Sequence, residues 1–293
     1  MTTQVAAPFA VPSEVTTEPA MNQRGQFQIK TPKGPRWYTR CTTYIKCLDD
    51  TTFLQQWKNR VIMSGLRADP RLQQELMGYT PDQCMDKNLM NAFIDRCFEA
   101  GDGRLKATIG TRLHSLAEMI DNGKQLPENV TQDELRRMEN YLHLCAKHGI
   151  VGDKMVSREK RVVIDELKVT GTPDMVIADY KCLDGKTRNV IGDLKTKDGP
   201  LDFGRGEMAL QLCMYSFGEE YVDDGSAGGK RTPFPVEVSR EVGLILHVPQ
   251  SGDRPPTLYE ADLMMGQYGR SLAAKVREWR NTSKRIFTEV PSS

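Results

Sequence analysis

The feature that most narrows the fold is a change of hydrophobic period at Gly149. Upstream, apolar residues recur three and four apart; downstream, β-branched runs are broken by turn dipeptides. Phe53, Leu54, Trp57, Val61 and Ile62 predict a helix entered through the Asp and Thr caps of DDTT. A second helix is expected across TPDQCMDKNLMNAFIDRCFEA, with Pro81 in its first turn, and a third across LKATIGTRLHSLAEMIDNG, closed by Asn122-Gly123. The fourth opens on Thr131-Gln-Asp-Glu134, a capping-box pattern, and stops at Gly149. Beyond it, MVSREKRVVIDELKVTG, TPDMVIADYK and RNVIGDLKTK predict three consecutive antiparallel strands, the last two joined through Asp184-Gly185. A helix over 206–221, the strand VGLILHVP and a last helix over about 261–287 complete an α+β pattern. Three regions follow: a flexible arm at 1–35, a helical region at 36–104 and the main domain at 105–287.

Charge is the first pointer to function. The 40 Lys and Arg against 39 Asp and Glu leave a net +1, which gives no support to a wholly electrostatic nucleic-acid binder but leaves room for a local basic groove. The cations are unevenly spread, gathering between Arg24 and Arg60 and again between Arg270 and Arg285. With Trp37, Tyr38 and Tyr44 interspersed, those segments are candidates for phosphate contact and base stacking. No apolar run reaches the roughly 18–20 residues of a membrane span, and the first residues lack the pattern of a secretory signal. A cytoplasmic protein with no membrane partner is therefore expected. The seven cysteines, an odd number, read as reduced thiols.

The chemistry lies in two strands. Asp174 ends Gly171-Thr172-Pro173-Asp174 at the start of one, and Asp193 lies in Gly192-Asp193-Leu194-Lys195-Thr196 near the end of the next. In a hairpin turning at Asp184-Gly185 the two acids fall opposite each other to within a residue or so. Asp193 and Lys195, two apart, share one strand face, while Leu194 packs on the other. Two carboxylates beside a lysine suit Mg²⁺ or Mn²⁺, which takes few protein ligands and keeps waters that a phosphate oxygen can replace. Such a cation acidifies a bound water, and the lysine can offset charge building on phosphate.

Pro173-Asp174 with Asp193-Leu194-Lys195 resembles the PD-(D/E)xK nuclease superfamily. Similar strings elsewhere fail on context: Pro81-Asp82 opens a helix, Asp184-Gly-Lys186 is a turn, and Glu166-Leu-Lys168 precedes the acidic strand start. Two further motifs are similar to the RecB-like exonuclease branch, including phage-type members. They are Gly110-Thr111-Arg112-Leu113-His114, with Glu118 one turn on, and Gln211-Leu-Cys-Met-Tyr215 after the lysine strand.

The resemblance implies a mixed sheet of restriction-endonuclease type flanked by helices. It implies His114, Asp174 and Asp193 as metal ligands, with the Leu194 carbonyl as a further one, and Lys195 as the catalytic lysine. Gln211 and Tyr215 would contact DNA or support the site, together with Thr172 and Thr196, and Glu166 would be an additional acid. The implied activity is a Mg²⁺- or Mn²⁺-dependent DNA exonuclease acting on ends or single strands in recombination, replication or repair. Its partners would be a recombinase, a single-strand-binding protein or a helicase. Some relatives hold an iron–sulfur cluster through C-terminal cysteines; no cysteine follows Cys213, so none is expected here. A sequence- or structure-specific endonuclease, or a non-catalytic DNA-binding protein of the same fold, are the alternatives.

Overall fold

A computed structural model describes residues 18–282 apart from positions 200, 203 and 253. The chain divides into two compact units, one formed by 49–113 and the other by the flanking residues. In chain order, the larger unit begins with strands β1 (Gln26–Ile29) and β2 (Arg36–Arg40) and helix α1 (Cys41–Ile45). Part of the expected flexible arm is thus ordered: β1 pairs antiparallel with β2, and Ile29 is fully buried among Tyr38, Val163 and Tyr221. The rest of that arm, before residue 18, lies outside the described residues.

The smaller unit holds α2 (Thr52–Ala68), α3 (Pro70–Gly78), α4 (Pro81–Met85) and α5 (Lys87–Ala100). The segment expected to be one helix after Pro81 is two, because Asp86 leaves helical conformation and its carboxylate caps α5 through the Leu89 amide. Leu72, Phe93 and Cys97 form the buried centre, with Ile62, Leu66 and Met90 packed around them. α2 and α5 cross closely at Gly65, where a Cβ would lie 1.9 Å from the Cys97 carbonyl oxygen. Only glycine fits there.

α6 (Leu105–Asp121) carries the chain back to the larger unit, and α7 (Gln132–Lys147) follows. The Thr131–Glu134 capping box forms as expected, and Gly149 takes φ +67° after the helix end. Next come β3 (Met155–Arg158), β4 (Val162–Ile164), β5 (Val169–Gly171), β6 (Met175–Lys181) and β7 (Thr187–Lys195). The first of the three expected strands is therefore three short ones. The charged run Arg158–Arg161 interrupts it, and the pieces enter different sheets. α8 (Arg205–Ser216) ends earlier than expected and gives way to β8 (Glu219–Val222); β9 (Lys230–Thr232) sits in the expected loop. β10 (Val242–His247), β11 (Thr257–Asp262) and α9 (Leu263–Thr282) complete the described chain.

The fold is α+β, with one sheet of order β1-β2-β5-β4-β8-β9 and another of order β11-β10-β7-β6-β3. Both are mixed: β7 runs antiparallel to β6 and parallel to β10. Its central position explains the continuous burial of Val190–Leu194. The β6–β7 hairpin carries one irregularity. Ala178 and Asp179 together oppose Asn189, a bulge in which Asp179 adopts φ +50° and its amide donates to the Asn189 side chain at 3.1 Å. No helix among the described residues is long and apolar enough to cross a membrane.

Candidate active site

The two acids meet at the hairpin's open end. Met175 pairs with Gly192, so continuing the register by one residue sets Asp174 beside Asp193, on one face. Asp174 follows the turn after β5, and its Oδ2 accepts the Leu194 amide at 2.6 Å. That bond ties the first acid to the strand bearing the second. His114 reaches the same carboxylate from α6, with Nδ1 3.6 Å from Asp174 Oδ2.

Asp193 is 4 % exposed. Its Oδ1 accepts from Gln211 Nε2 at 3.4 Å, and its Oδ2 lies 2.6 Å from the Lys195 ammonium. This buried oxygen has no hydrogen-bond partner, and its contact with Lys195 is an ion pair. Gln211 and Tyr215 stand one turn apart on α8, and Gln211 Nε2 also donates to the Tyr215 hydroxyl at 3.2 Å. The Tyr215 ring lies over Gly171, where a Cβ would come within 2.6 Å of it. His114, Asp174, Asp193, Lys195, Gln211 and Tyr215 are thus brought together. Thr196 is buried directly after β7, and Thr172 borders an adjoining pocket with Gln211 and Tyr215.

Glu166 is not part of this cluster. It sits in the 3₁₀ turn Asp165–Leu167, well exposed and ion-paired with Arg270. The acid that does join is Glu159, just past β3. Its backbone is left-handed at φ +46°, and its amide donates to the Asp174 carbonyl at 3.0 Å. Glu159, Asp174, Glu118, Asp121 and His114 line a cavity of about 10 Å³, roughly the space of one water.

Burial and crowding set the electrostatics. Burial first, then Asp193 and Glu159, raise Asp174 well above the usual carboxylate range. Burial followed by Glu118, Asp193 and Asp121 pushes Glu159 up to about 7. Burial lowers His114, which favours the neutral imidazole that ligates metals. For Lys195, burial works against the charge, but Asp193, Asp174 and Glu207 outweigh it and the ammonium is favoured.

No three His, Cys, Asp or Glu side chains among the described residues are already disposed around a common metal position. The donor chemistry nevertheless suits a hard divalent cation. Several carboxylates repel one another in a buried corner, one of their oxygens lacks a hydrogen bond, and a neutral imidazole stands beside them. This arrangement predicts a pH dependence. Acids raised in the folded state bind protons more tightly there than when unfolded. Stability is then fully present below pH about 4.5 and falls as pH rises to about 7. His114, lowered by burial, opposes this near the top of the window. After solvent screening, a net loss of about 1–2 kcal/mol is expected in denaturant titrations in EDTA. Mg²⁺ should restore most of it above pH 7 and little of it at pH 5. A loss of equal size with and without Mg²⁺ would remove the cation from this site.

Part of each basic segment is committed to the fold, and Lys284 and Arg285 lie outside the described residues. Lys30 pairs with Asp223, Arg277 stacks on Tyr44, and Arg270 stacks on Phe217. Tyr38 and Tyr44 are buried and cannot stack on bases; of the three aromatics only Trp37 is exposed. Comparison with known proteins leaves the site to its own chemistry: no family model and no curated protein matches this chain.

Proposed function

We propose that the chain is a divalent-metal-dependent deoxyribonuclease, an exonuclease acting on DNA ends in recombination, replication or repair. The observation that carries this reading is the register placing Asp174 beside Asp193, with Lys195 against Asp193 and His114 against Asp174. The PD-(D/E)xK-like spacing of the same residues supports it.

Asp174, Asp193, His114 and the Leu194 carbonyl would hold Mg²⁺ or Mn²⁺, with Glu159 as a further acid; the cation supplies Lewis acidity toward phosphate and water. The remaining roles belong to the chain itself. Lys195, kept protonated by its acidic neighbours, donates toward a phosphate oxygen and offsets negative charge accumulating there. Gln211 fixes Asp193 from one side, and Tyr215 fixes Gln211. The Leu194 amide orients Asp174. A recombinase, single-strand-binding protein or helicase would be a partner.

The test is a cleavage assay with Mg²⁺ or Mn²⁺ on linear and covalently closed circular DNA of the same sequence. Loss of the linear form alone is the expected result. Cutting of circles makes the protein an endonuclease. No cleavage of either form by folded protein leaves a non-catalytic DNA-binding role.

A further inference from the structure

Helix α9 turns an unusual face outward. A surface helix ordinarily sets its large apolar residues against the body of the protein and its polar ones toward water. Here the buried residues are Leu263, Gly266 and Ala273, two of them small. Arg270 and Arg277 hold the same body through Phe217 and Tyr44. The large apolar side chains point the other way: Met264, Met265, Tyr268 and Trp279 are 56–63 % exposed and Leu272 is 36 % exposed. Positions 264, 268, 272 and 279 are four or seven apart and fall on one side of the helix. They form one stripe, about 22 Å long at the rise of an α-helix. Exposed apolar residues scattered singly are ordinary, but a continuous stripe marks an interface. Within it stands one charge, the exposed Lys275, which has no ion pair among the described residues.

We propose that this stripe is the interface of a homodimer, in which α9 packs antiparallel against α9 of a second copy across a two-fold axis beside Leu272. The order of the residues selects that occupant. Met264 and Trp279 lie symmetrically about the point between Ser271 and Leu272, and so do Tyr268 and Lys275. An antiparallel copy therefore sets Met264 of each chain on Trp279 of the other, a favourable thioether–aromatic contact. It also sets Lys275 of each chain on the Tyr268 ring of the other, giving the lone cation a partner. Leu272 meets its own copy at the axis, as an isologous interface requires. A parallel copy would instead oppose Lys275 to Lys275. One helix pair of this length buries on the order of 1,000 Å², the low end for specific association. Dimerisation at roughly micromolar concentration is therefore expected. The dimer does not depend on what the acidic cluster catalyses.

Sedimentation velocity of the full-length protein, from about 1 to 100 μM, reads the association directly. The mass should rise with concentration from that of one chain, 33.1 kDa, toward that of two. Leu272→Glu places two carboxylates at the axis and should weaken the dimer roughly tenfold or more. Tyr268 tests the direction of pairing. Tyr268→Lys sets a second cation against Lys275 and should also weaken the dimer roughly tenfold, whereas Tyr268→Glu gives Lys275 an anion and should keep the affinity within a few-fold. In a parallel pair both changes would put like charges together and weaken it alike. Leu272→Cys needs no disruption: in a Cys84→Ser background, chosen because Cys84 is exposed, it should form a disulfide between copies under mild oxidation. Met264→Cys, far from the axis, should not. A protein that stays monomeric over this range overturns the interface, as does an assembly that Leu272→Glu and Tyr268→Lys leave intact. Equal weakening by the two Tyr268 variants, or a disulfide at Met264→Cys and none at Leu272→Cys, overturns the antiparallel pairing. A dimer that cuts no DNA keeps the interface and loses the nuclease reading; a monomer that cuts does the reverse.

Discussion

Asp174→Asn is expected to slow DNA cleavage by roughly 10²–10⁴-fold while leaving the protein as stable as before, or more so. The two effects separate because the residue plays two parts. As a hydrogen-bond acceptor for the Leu194 amide, asparagine serves as well as aspartate. As a charge, Asp174 is buried beside Asp193 and Glu159, and that repulsion is unfavourable to folding at neutral pH. Removing it should raise stability by about 1 kcal/mol in metal-free buffer, seen as a higher denaturant midpoint with an unchanged slope. The same substitution should weaken the Mg²⁺-dependent stabilisation. A variant that is inactive and less stable would show that Asp174 serves the fold, not the chemistry. Groups that help folding and groups that help function are often at odds in a catalytic site, and this residue is where they collide.

Lys195→Met should also abolish cleavage, with the opposite effect on stability. Methionine replaces most of the aliphatic stem but not the ammonium that lies 2.6 Å from Asp193 Oδ2. Asp193, already without a hydrogen bond at that oxygen, then remains buried with Asp174 as its neighbour. Breaking a buried pair by removing one partner typically costs about 3–5 kcal/mol. The lower figure applies here because Lys195 is 26 % exposed. The loss should shrink at low pH, where the acids protonate, and in the double variant with Asp174→Asn, where one repulsion is gone. Additive losses in that cycle would mean that the two residues do not share a field.

The parts of the site legible in the sequence are those fixed by local periodicity. Gln211 and Tyr215 share a helix face because they are four apart, and they bond to each other. The hairpin turn at Asp184-Gly185 was enough to bring Asp174 and Asp193 opposite each other within a residue. The α7 capping box formed at the residues that spell it. What failed depended on contacts that no local pattern encodes. Glu166 looked like a strand residue pointing to the site, but Lys168 turns left-handed and the Asp165–Leu167 turn carries the side chain to Arg270. Glu159 escapes a motif reading because a left-handed glutamate is rare and its partner, the Asp174 carbonyl, is distant in sequence. A signal was present: four consecutive charged residues, Arg158–Arg161, inside a β-branched run mark a turn, and turns beside strand ends are where such residues collect. The second sheet is legible only in its middle, since its strands are three to five residues long and are drawn from three separate stretches, 26–40, 162–171 and 219–232. Tyr38 and Tyr44 show the same limit, for aromatic residues among cations read alike whether they stack on bases or fill a core.

The bulge at Asp179 governs how this hairpin can change length. Beyond it, towards the tip, Tyr180 pairs with Arg188; before it, Ile177 pairs with Val190. Carried unchanged to the open end, the tip's register would set Asp174 opposite Leu194, whose side chain points to the other face. The extra residue corrects that by one step, and the Asn189 side chain, which binds the Asp179 amide and the Glu237 carbonyl, pins the correction in place. Homologous chains can therefore lengthen or shorten the hairpin tip freely, provided the bulge travels with the acidic pair. Natural variation in this region should come as insertions and deletions beyond Tyr180, never as a single residue gained or lost between the bulge and the acids.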